Sequence, residues 1–516
     1  MSSYLEVGKD LKYHLPKRLT PAQHQQAIYV LGKSGTGKST LLGNLAVQFH
    51  AMGEGVLVID IKDSKLTADI AARTPRPEDT IYVAPGLCHW DGEKHFWSFN
   101  ALDYAAVGYL PNDEAAEEIV GGTFGMFERM ARANSEFMTR VARYLPLAVR
   151  VAIARPDATL LDVEAILSDR EERTSRLKPP VTPQTIKAWR KFERDNKTDK
   201  DQAAKLESTI NRVAEFTDPP FLNFMVSQPR TTLKLEEWLD QGKLVLCNLA
   251  EGVHEHLREP LGNLVMAQAV NAAFRRQNAE VEGRRVWRYI VDEFDVLAPE
   301  QFSDLIDKAR SFRVFPVMSH QHKGQLTKGR AKDSRIFEAA SGAPVTLRFS
   351  IGEEDRRQLS FTRGQEEAER LSQQAKFTAE LELDGPRDSS NPMALELPNW
   401  WAERDEDQLK ELIDRQRPDT RPRSELAREN RRRYYKPERL EASQGQTRND
   451  TSRSNDRRND RHNRQASKTQ EHQTEPVSAR PERPSETDRD DRAGSGDSHP
   501  PRPAPIRYRR SGPDDF

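Results

Sequence analysis

Residues 28–41 read IYVLGKSGTGKSTL. A short apolar run enters a glycine-rich loop, and Lys-Ser-Thr then opens a helical pattern. The loop fits G-x-x-x-x-G-K-[ST] through Gly32, Gly37, Lys38 and Ser39, with Gly35 as a further glycine. Glycines let the backbone curl so that successive N–H groups face an anion, and the following helix N-terminus adds positive dipole. Lys38 is then expected to reach the β- and γ-phosphates, and the Ser39 hydroxyl to hold Mg²⁺. The expected cradle is Gly32, Lys33, Ser34, Gly35, Thr36, Gly37, Lys38, Ser39 and Thr40, with ATP and Mg²⁺ as its ligands. A surface loop could match this pattern by chance, but strand-like sequence before it and helix-like sequence after it argue against that.

Outward from the loop, Leu41, Leu42, Leu45, Ala46 and Phe49 have helical spacing up to about Ala51, and Gly53 and Gly55 end the helix. GVLVID follows without alternation, as a strand covered on both faces should be. Strand, helix and strand make one βαβ unit, which implies a parallel sheet and a right-handed crossover. DTIYVAPG predicts a third short strand.

From about residue 111 to 215 the texture is helical. Glu117 to Met138, MTRVARYLPLAVRVAIA and LLDVEAILSD carry apolar residues three and four apart. TIKAWRKFERDNKTDKDQAAKLESTINRVAEF predicts two amphipathic helices broken near Asp195–Thr198. About 100 residues is far above an ordinary crossover, so this run is expected to be an all-helical domain inserted between strands. The sheet resumes at Lys243–Ala250. A helix over Leu261–Gln277, the strand VWRYIVDEF, a helix over Pro299–Phe312, and the strands VFPVMSHQ and APVTLRFS follow. FTAELELD predicts a late edge strand, and NWWAERDEDQLKELIDRQ a closing helix. The expected fold is α/β: a P-loop nucleotide-binding domain with a mainly parallel sheet over 1–110 and 216–414, a helical insertion over 111–215, and a disordered tail over 415–516. Residues 1–24 read as polar and mixed.

The net charge is −1, which makes no global electrostatic case for nucleic acid. It conceals an asymmetry. Residues 415–516 hold 25 Lys/Arg against 18 Asp/Glu, which leaves 55 of the chain's 80 bases against 63 of its 81 acids for residues 1–414. Any DNA contact by the body must therefore be a local basic surface. The tail has too few large apolar residues to offset its ordering entropy, and is either a solvated tail or a tether for DNA or a protein partner. Cys88 and Cys247 lie in no metal-ligand spacing and are expected to be two reduced thiols. The N-terminal residues do not form a signal peptide, and no uncharged apolar run approaches the roughly 18 residues of a membrane span. A cytoplasmic chain, peripheral to the inner membrane through partners if associated with it, is expected.

Tyr289-Ile290-Val291-Asp292-Glu293 delivers two carboxylates at the C-terminal end of an apolar strand, where open α/β sheets bind ligands. Asp292 suits Mg²⁺, directly or through water, and Glu293 could act as general base on an attacking water. Ser319-His320-Gln321 ends the next strand. Gln321 there can orient water or sense the γ-phosphate, while His320 reads as a structural histidine. Arg348 sits within an apolar strand and needs a partner or a job. Pairing with a buried carboxylate and an arginine finger onto a neighbouring subunit's nucleotide are both open.

Together these residues resemble the soluble ATPase part of type IV coupling proteins, in the HerA/FtsK superfamily of DNA-pumping motors. The resemblance is carried, in order, by LGKSGTGKSTLL, GVLVIDIKDS with its Asp-x-Lys element, FWSFNALD, KLEEWLDQGKLVLCNLAEG, YIVDEFDVLAPEQFSDLIDKARSFRVFPVMSHQHKGQL and PVTLRFSIGEEDRRQL. It covers most of residues 25–385. It implies a homo-oligomeric, hexameric ring that hydrolyses ATP between subunits and drives DNA through its channel, with a relaxase or type IV secretion components as partners. Lys38, Ser39, Asp292, Glu293, Gln321 and Arg348 match the family's motifs. Two departures stand out: the sequence lacks the transmembrane helices that begin anchored members, and DIKDS lacks a glycine often found there. A motor for DNA processing, segregation or packaging, and a nucleotide-dependent adaptor working through its tail, are the alternatives.

Overall fold

A computed structural model describes residues 4–103, 112–130, 135–276, 284–297, 305–321, 334–384, 393–397 and 403–434. These belong to one compact unit, Met1–Pro437. Its strands are β1 (Leu5–Asp10), β2 (Pro16–Leu19), β3 (Ile28–Leu31), β4 (Gly55–Asp60), β5 (Thr80–Val83), β6 (His89–Trp90) and β7 (Glu93–Trp97). A run of helices intervenes before β8 (Leu244–Asn248), β9 (Trp287–Val291), β10 (Val314–His320), β11 (Val345–Arg348), β12 (Thr378–Leu383), β13 (Met393–Glu396) and β14 (Thr420–Pro422).

Eleven strands form one sheet in the order β2-β1-β13-β12-β11-β3-β10-β9-β4-β8-β5. Every pairing from β11 through to β5 is parallel. The pairings from β2 to β11 are antiparallel. The continuous apolar runs of the sequence have a simple cause: alternate residues enter two different cores. Ile28, Val30, Val56, Val58, Leu244 and Leu246 face one, with Leu41, Leu45 and Phe49 of the Lys38–Ala51 helix. Tyr29, Leu31, Leu57, Ile59, Val245 and Cys247 face the other, beneath the long helices. Each such Leu, Ile or Val contributes roughly 1.5–3 kcal/mol by leaving water.

Between β7 and β8 the described elements are helices: Asn112–Met130, Ser135–Ala152, Leu160–Ser168, Arg170–Arg176, Pro183–Asp195, Asp199–Thr217, Pro220–Val226 and Leu235–Asp240. The predicted break at 195–198 is real. Thr198 caps the second helix by accepting from the Asp201 N–H at 3.1 Å, and Thr182 caps the first, ahead of Pro183 at its opening position. Trp189 and Phe192 from this block lie in the same apolar cluster as Leu57 and Ile59 of the sheet.

Three expectations are corrected. Residues 1–24 hold the β1–β2 hairpin, with Leu5, Val7 and Leu19 fully buried. Alternation over so few residues reads as mixed polarity. β12 is not an edge strand: β11 pairs on one side and β13 on the other. The hairpin continues the sheet beyond β13, through the register Lys9↔Glu396.

The third correction is the start of the tail. Residues 415–434 are ordered: β14 pairs with β7, and Arg423–Tyr434 is a helix. Polar bonds hold this segment where apolar burial is sparse. Gln416 Oε1 accepts from the Ala84 N–H at 2.7 Å and from Trp97 Nε1 at 3.1 Å. Arg433 and the Tyr434 hydroxyl donate to Asp162 at 3.0 and 3.1 Å. Composition does not reveal such bonds. Residues 299–304 of the predicted Pro299–Phe312 helix, 322–333, and the predicted tail from 435 onward lie outside the described residues.

Candidate nucleotide site

The loop predicted from Gly32 to Thr40 joins the end of β3 to the Lys38–Ala51 helix. Its glycines have distinct reasons. A Cβ on Gly32 would stand 2.5 Å from Cβ of Phe349, because the Phe349 N–H is bonded to the neighbouring Leu31 carbonyl at 2.8 Å. Gly37 has φ +115°, and a Cβ there would meet Phe377 at 2.9 Å. The loop is tied on both flanks: Lys33 N–H donates to the Ser350 carbonyl and Phe377 N–H to the Thr36 carbonyl, each at 2.8 Å. Lys33, Ser34, Gly35 and Ser39 form its exposed lip, Thr36 is buried, and Thr40 is half-buried.

Lys38 folds back over the loop. Its ammonium donates to the carbonyls of Gly32 at 2.6 Å and Lys33 at 3.0 Å. Burial pulls its pKa below lysine's usual range, while Asp292 and Glu293 pull the other way and Lys62 adds to the lowering.

Strand register brings the acids to the loop. Ile59 on β4 and Met318 on β10 both pair with Val291 on β9, so Asp60, Asp292 and Ser319 emerge side by side at the C-terminal ends of parallel strands. His320 on β10 pairs with Leu31 on β3, which puts this edge beside the loop. Asp292 Oδ1 accepts from the Ser319 hydroxyl at 3.0 Å and from the Glu293 N–H at 3.1 Å. Burial, with Glu293 adjacent, raises its pKa. Asp60 is also buried, and burial pushes it up to about 6. Its Oδ2 has no hydrogen-bond partner among the described residues.

Glu293 stands in the left-handed backbone region, φ +53°. One carboxylate oxygen, Oε1, accepts from both Lys62 Nζ and Gln321 Nε2, the latter at 2.8 Å. Burial would raise its pKa, but these two donors leave it lowered. The structure thus places Lys38, Asp292, Glu293 and Gln321 in one cluster and adds three residues that the sequence reading assigned no role: Lys62, Asp60 and Ser319. The signals were the Asp-x-Lys element of DIKDS and the serine of SHQ.

His320 is buried and bonds the Tyr29 hydroxyl at 2.5 Å, as a structural histidine would. Arg348 is paired with Glu382, with Glu380 at 4.0 Å. Of the two roles open to it, pairing within its own chain is the one it occupies here. A separate cavity of about 550 Å³ is lined by Glu118, Glu236, Gln268, Asn271 and Arg275, with no residue of the phosphate loop.

The donor set fits a magnesium nucleotide. An ammonium rests on its own loop's carbonyls, an exposed lip carries the Ser39 hydroxyl, and two buried carboxylates stand opposite, one with an orphan oxygen.

No protein-family model matches the sequence, and no curated protein matches it. Solved structures do. The unbound bacterial conjugative coupling protein TrwB is 16% identical, with a TM-score of 0.53 over 77% of this chain and 90% of that one. The plasmid coupling protein TrwB in complex with the non-hydrolysable ATP analogue ADPNP matches at 16% identity and TM-score 0.54, over 77% and 91%. Its complex with ADP and Mg²⁺ matches at 16% and 0.54, over 77% and 90%. At this identity the likeness is one of fold, and this chain has the P-loop nucleotide-binding fold of the conjugative coupling protein TrwB.

Proposed function

We propose that this chain is the subunit of an ATP-hydrolysing DNA translocase, resembling the soluble motor of type IV coupling proteins and acting in conjugative or mobilisable-element transfer. The observation that carries the reading is the convergence of Lys38, Asp292, Glu293 and Gln321 at one sheet edge, in a fold shared with a coupling protein whose structures hold ADPNP and ADP with Mg²⁺.

In this reading Lys38 leaves the carbonyls of Gly32 and Lys33 to hold β- and γ-phosphate oxygens. Ser39 and Asp292 would hold Mg²⁺, which when bound supplies charge neutralisation on the phosphates. Glu293 takes a proton from the attacking water, and Gln321 orients that water or reports the γ-phosphate. The helices over 111–215 act as a unit inserted into the nucleotide domain. A homo-oligomeric ring, hexameric as in the resemblance, would place each site at a subunit boundary. A relaxase or secretion components would be its partners at the inner membrane. No helix among the described residues is long and apolar enough to cross a membrane.

The test is ATPase rate with and without single- and double-stranded DNA. Stimulation by either supports the reading. No stimulation, together with a stable monomer at working concentration, would sink it.

A further inference from the structure

The Pro183–Asp195 helix has two faces of different character. Thr185, Trp189 and Phe192 are buried, with the Trp189 indole donating to the Leu147 carbonyl at 3.3 Å and Phe192 edge-on to Tyr144 at 5.2 Å. That face fixes the helix to its block. The opposite face carries Lys187, Arg190, Lys191 and Arg194, all exposed and spaced i, i+3, i+4 and i+7. They line a groove of about 700 Å³ together with Pro180 and Ile186, and no acidic side chain lines it.

None of the four makes an ion pair among the described residues. Nearby arginines behave otherwise: Arg170, Arg173, Arg176 and Arg212 each face a carboxylate within 4 Å. Glu193 of the same helix is turned away, toward Arg173 at 3.6 Å and the Thr174 hydroxyl at 3.1 Å. Four uncompensated cations thus share one face of a body, residues 1–414, that carries 55 bases against 63 acids.

We propose that this groove is a docking surface for the phosphate backbone of nucleic acid. The charge density favours that occupant over an acidic peptide. The four cations span about 10 Å of helix. A duplex carries one phosphate per about 1.7 Å of its axis, and every nucleotide of a strand is charged whatever its sequence. A peptide would meet the same four cations only where its sequence set a matching run of acids. The inference rests on the reading of the chain as a DNA-handling motor, and locates where on the body the DNA is held.

The test is binding of labelled single-stranded and duplex oligonucleotides to the full chain, followed by anisotropy from ~50 to ~200 mM salt. The K187Q/R190Q/K191Q/R194Q variant keeps the buried face and uses a good helix former, so its melting temperature should match the wild type's. Its control, K9Q/K12Q/K17Q/R18Q on the β1–β2 hairpin, makes the same charge change elsewhere. The basic tail is present in all three proteins and cancels in the comparison.

The expected result is at least about tenfold weaker binding for the groove variant, with a log K against log salt slope shallower by about 3, at 0.7–0.9 per lost phosphate contact. The hairpin variant should bind like wild type. Equal affinity and slope in the two variants would overturn the inference and leave the motor reading standing. Competition by polyglutamate with the same dependence on the four cations would assign the groove to an acidic protein and also overturn it. A wild-type chain that binds no oligonucleotide removes both the groove and the DNA part of the reading. A groove-dependent slope without any ATPase upholds the groove and removes the motor.

Discussion

Lys62 and Glu293, 231 residues apart in the chain, form an ion pair beside the phosphate loop. Gln321 Nε2 donates to the same carboxylate oxygen at 2.8 Å, so the candidate general base is held by two donors at once. Its backbone stands in the left-handed region, a cost of order 1–3 kcal/mol that the surroundings sustain. Such a carboxylate is positioned, and its pull on a water proton is moderated by Lys62.

Replacing that lysine separates chemistry from binding. Lys62→Met is expected to lower ATPase turnover at least about tenfold, since general-base positioning contributes roughly 10²–10⁴. Nucleotide Kd, followed with a fluorescent ADP, should stay within about threefold. Lys62→Arg should recover part of the rate. Equal losses in binding and turnover would show that Lys62 serves the nucleotide itself.

The two charged residues of the proposed reaction fail differently. Lys38→Ala should abolish hydrolysis and weaken nucleotide binding, because it removes the phosphate-facing ammonium. Glu293→Gln should bind ATP and retain it unhydrolysed, as measured by filter binding and product analysis. Turnover in both variants would refute the site assignment.

Gly32 and Gly35 share a loop but not a constraint. A Cβ on Gly32 meets Phe349 at 2.5 Å, whereas a Cβ on Gly35 meets nothing within 4 Å. Gly32→Ala should therefore cost about 1–3 kcal/mol in urea unfolding, through overpacking against Cβ of Phe349. Gly35→Ala should cost about 1 kcal/mol, from its φ of +75° alone. Equal losses would mean that the loop relaxes away from Phe349.

The ordering of residues 415–434 is testable through Gln416. Its side-chain oxygen serves the Ala84 N–H and the Trp97 indole. Gln416→Leu leaves both buried donors unpaired, at about 1–3 kcal/mol each. The loss should appear in chemical denaturation.

His50 makes stability depend on pH. Burial, with Arg76 adding, lowers its pKa to about 4 from the usual 6.5, and its Nε2 has no hydrogen-bond partner among the described residues. The unfolded chain therefore binds the proton first as pH falls. Its stabilising contribution is complete above about pH 6.5 and is lost as pH falls toward 4. The loss should reach about 1.4 kcal/mol by pH 5.5. His50→Leu should flatten that part of the stability–pH curve, and an unchanged curve would place the sensitivity elsewhere.

Much of the site was legible because each part is a local pattern. The glycine spacing of the loop, the apolar strand ending in Asp292-Glu293, and the strand ending in Gln321 each state a backbone conformation and an endpoint. Chain order alone does not say which strand ends are neighbours. That β4 lies beside β9, and so Asp60 beside Asp292, follows from the sheet order. Arg348 could be flagged as a charge needing a partner, yet Glu380 and Glu382 became its partners only when β12 paired with β11.

From its sequence alone the chain specifies a nucleotide loop, strands buried on both faces and a long helical run, because hydrophobic period and glycine placement act over a few residues. Tertiary structure alone decided that Lys62 clamps Glu293, that β12 lies inside the sheet, and that 415–434 is held to the body. The first and last of these depend on hydrogen bonds and ion pairs between residues hundreds of positions apart, and the second on strand pairing with β11 and β13. A polar contact of that kind leaves no periodic trace in the chain, and it forms only once the sheet order has brought its two ends together.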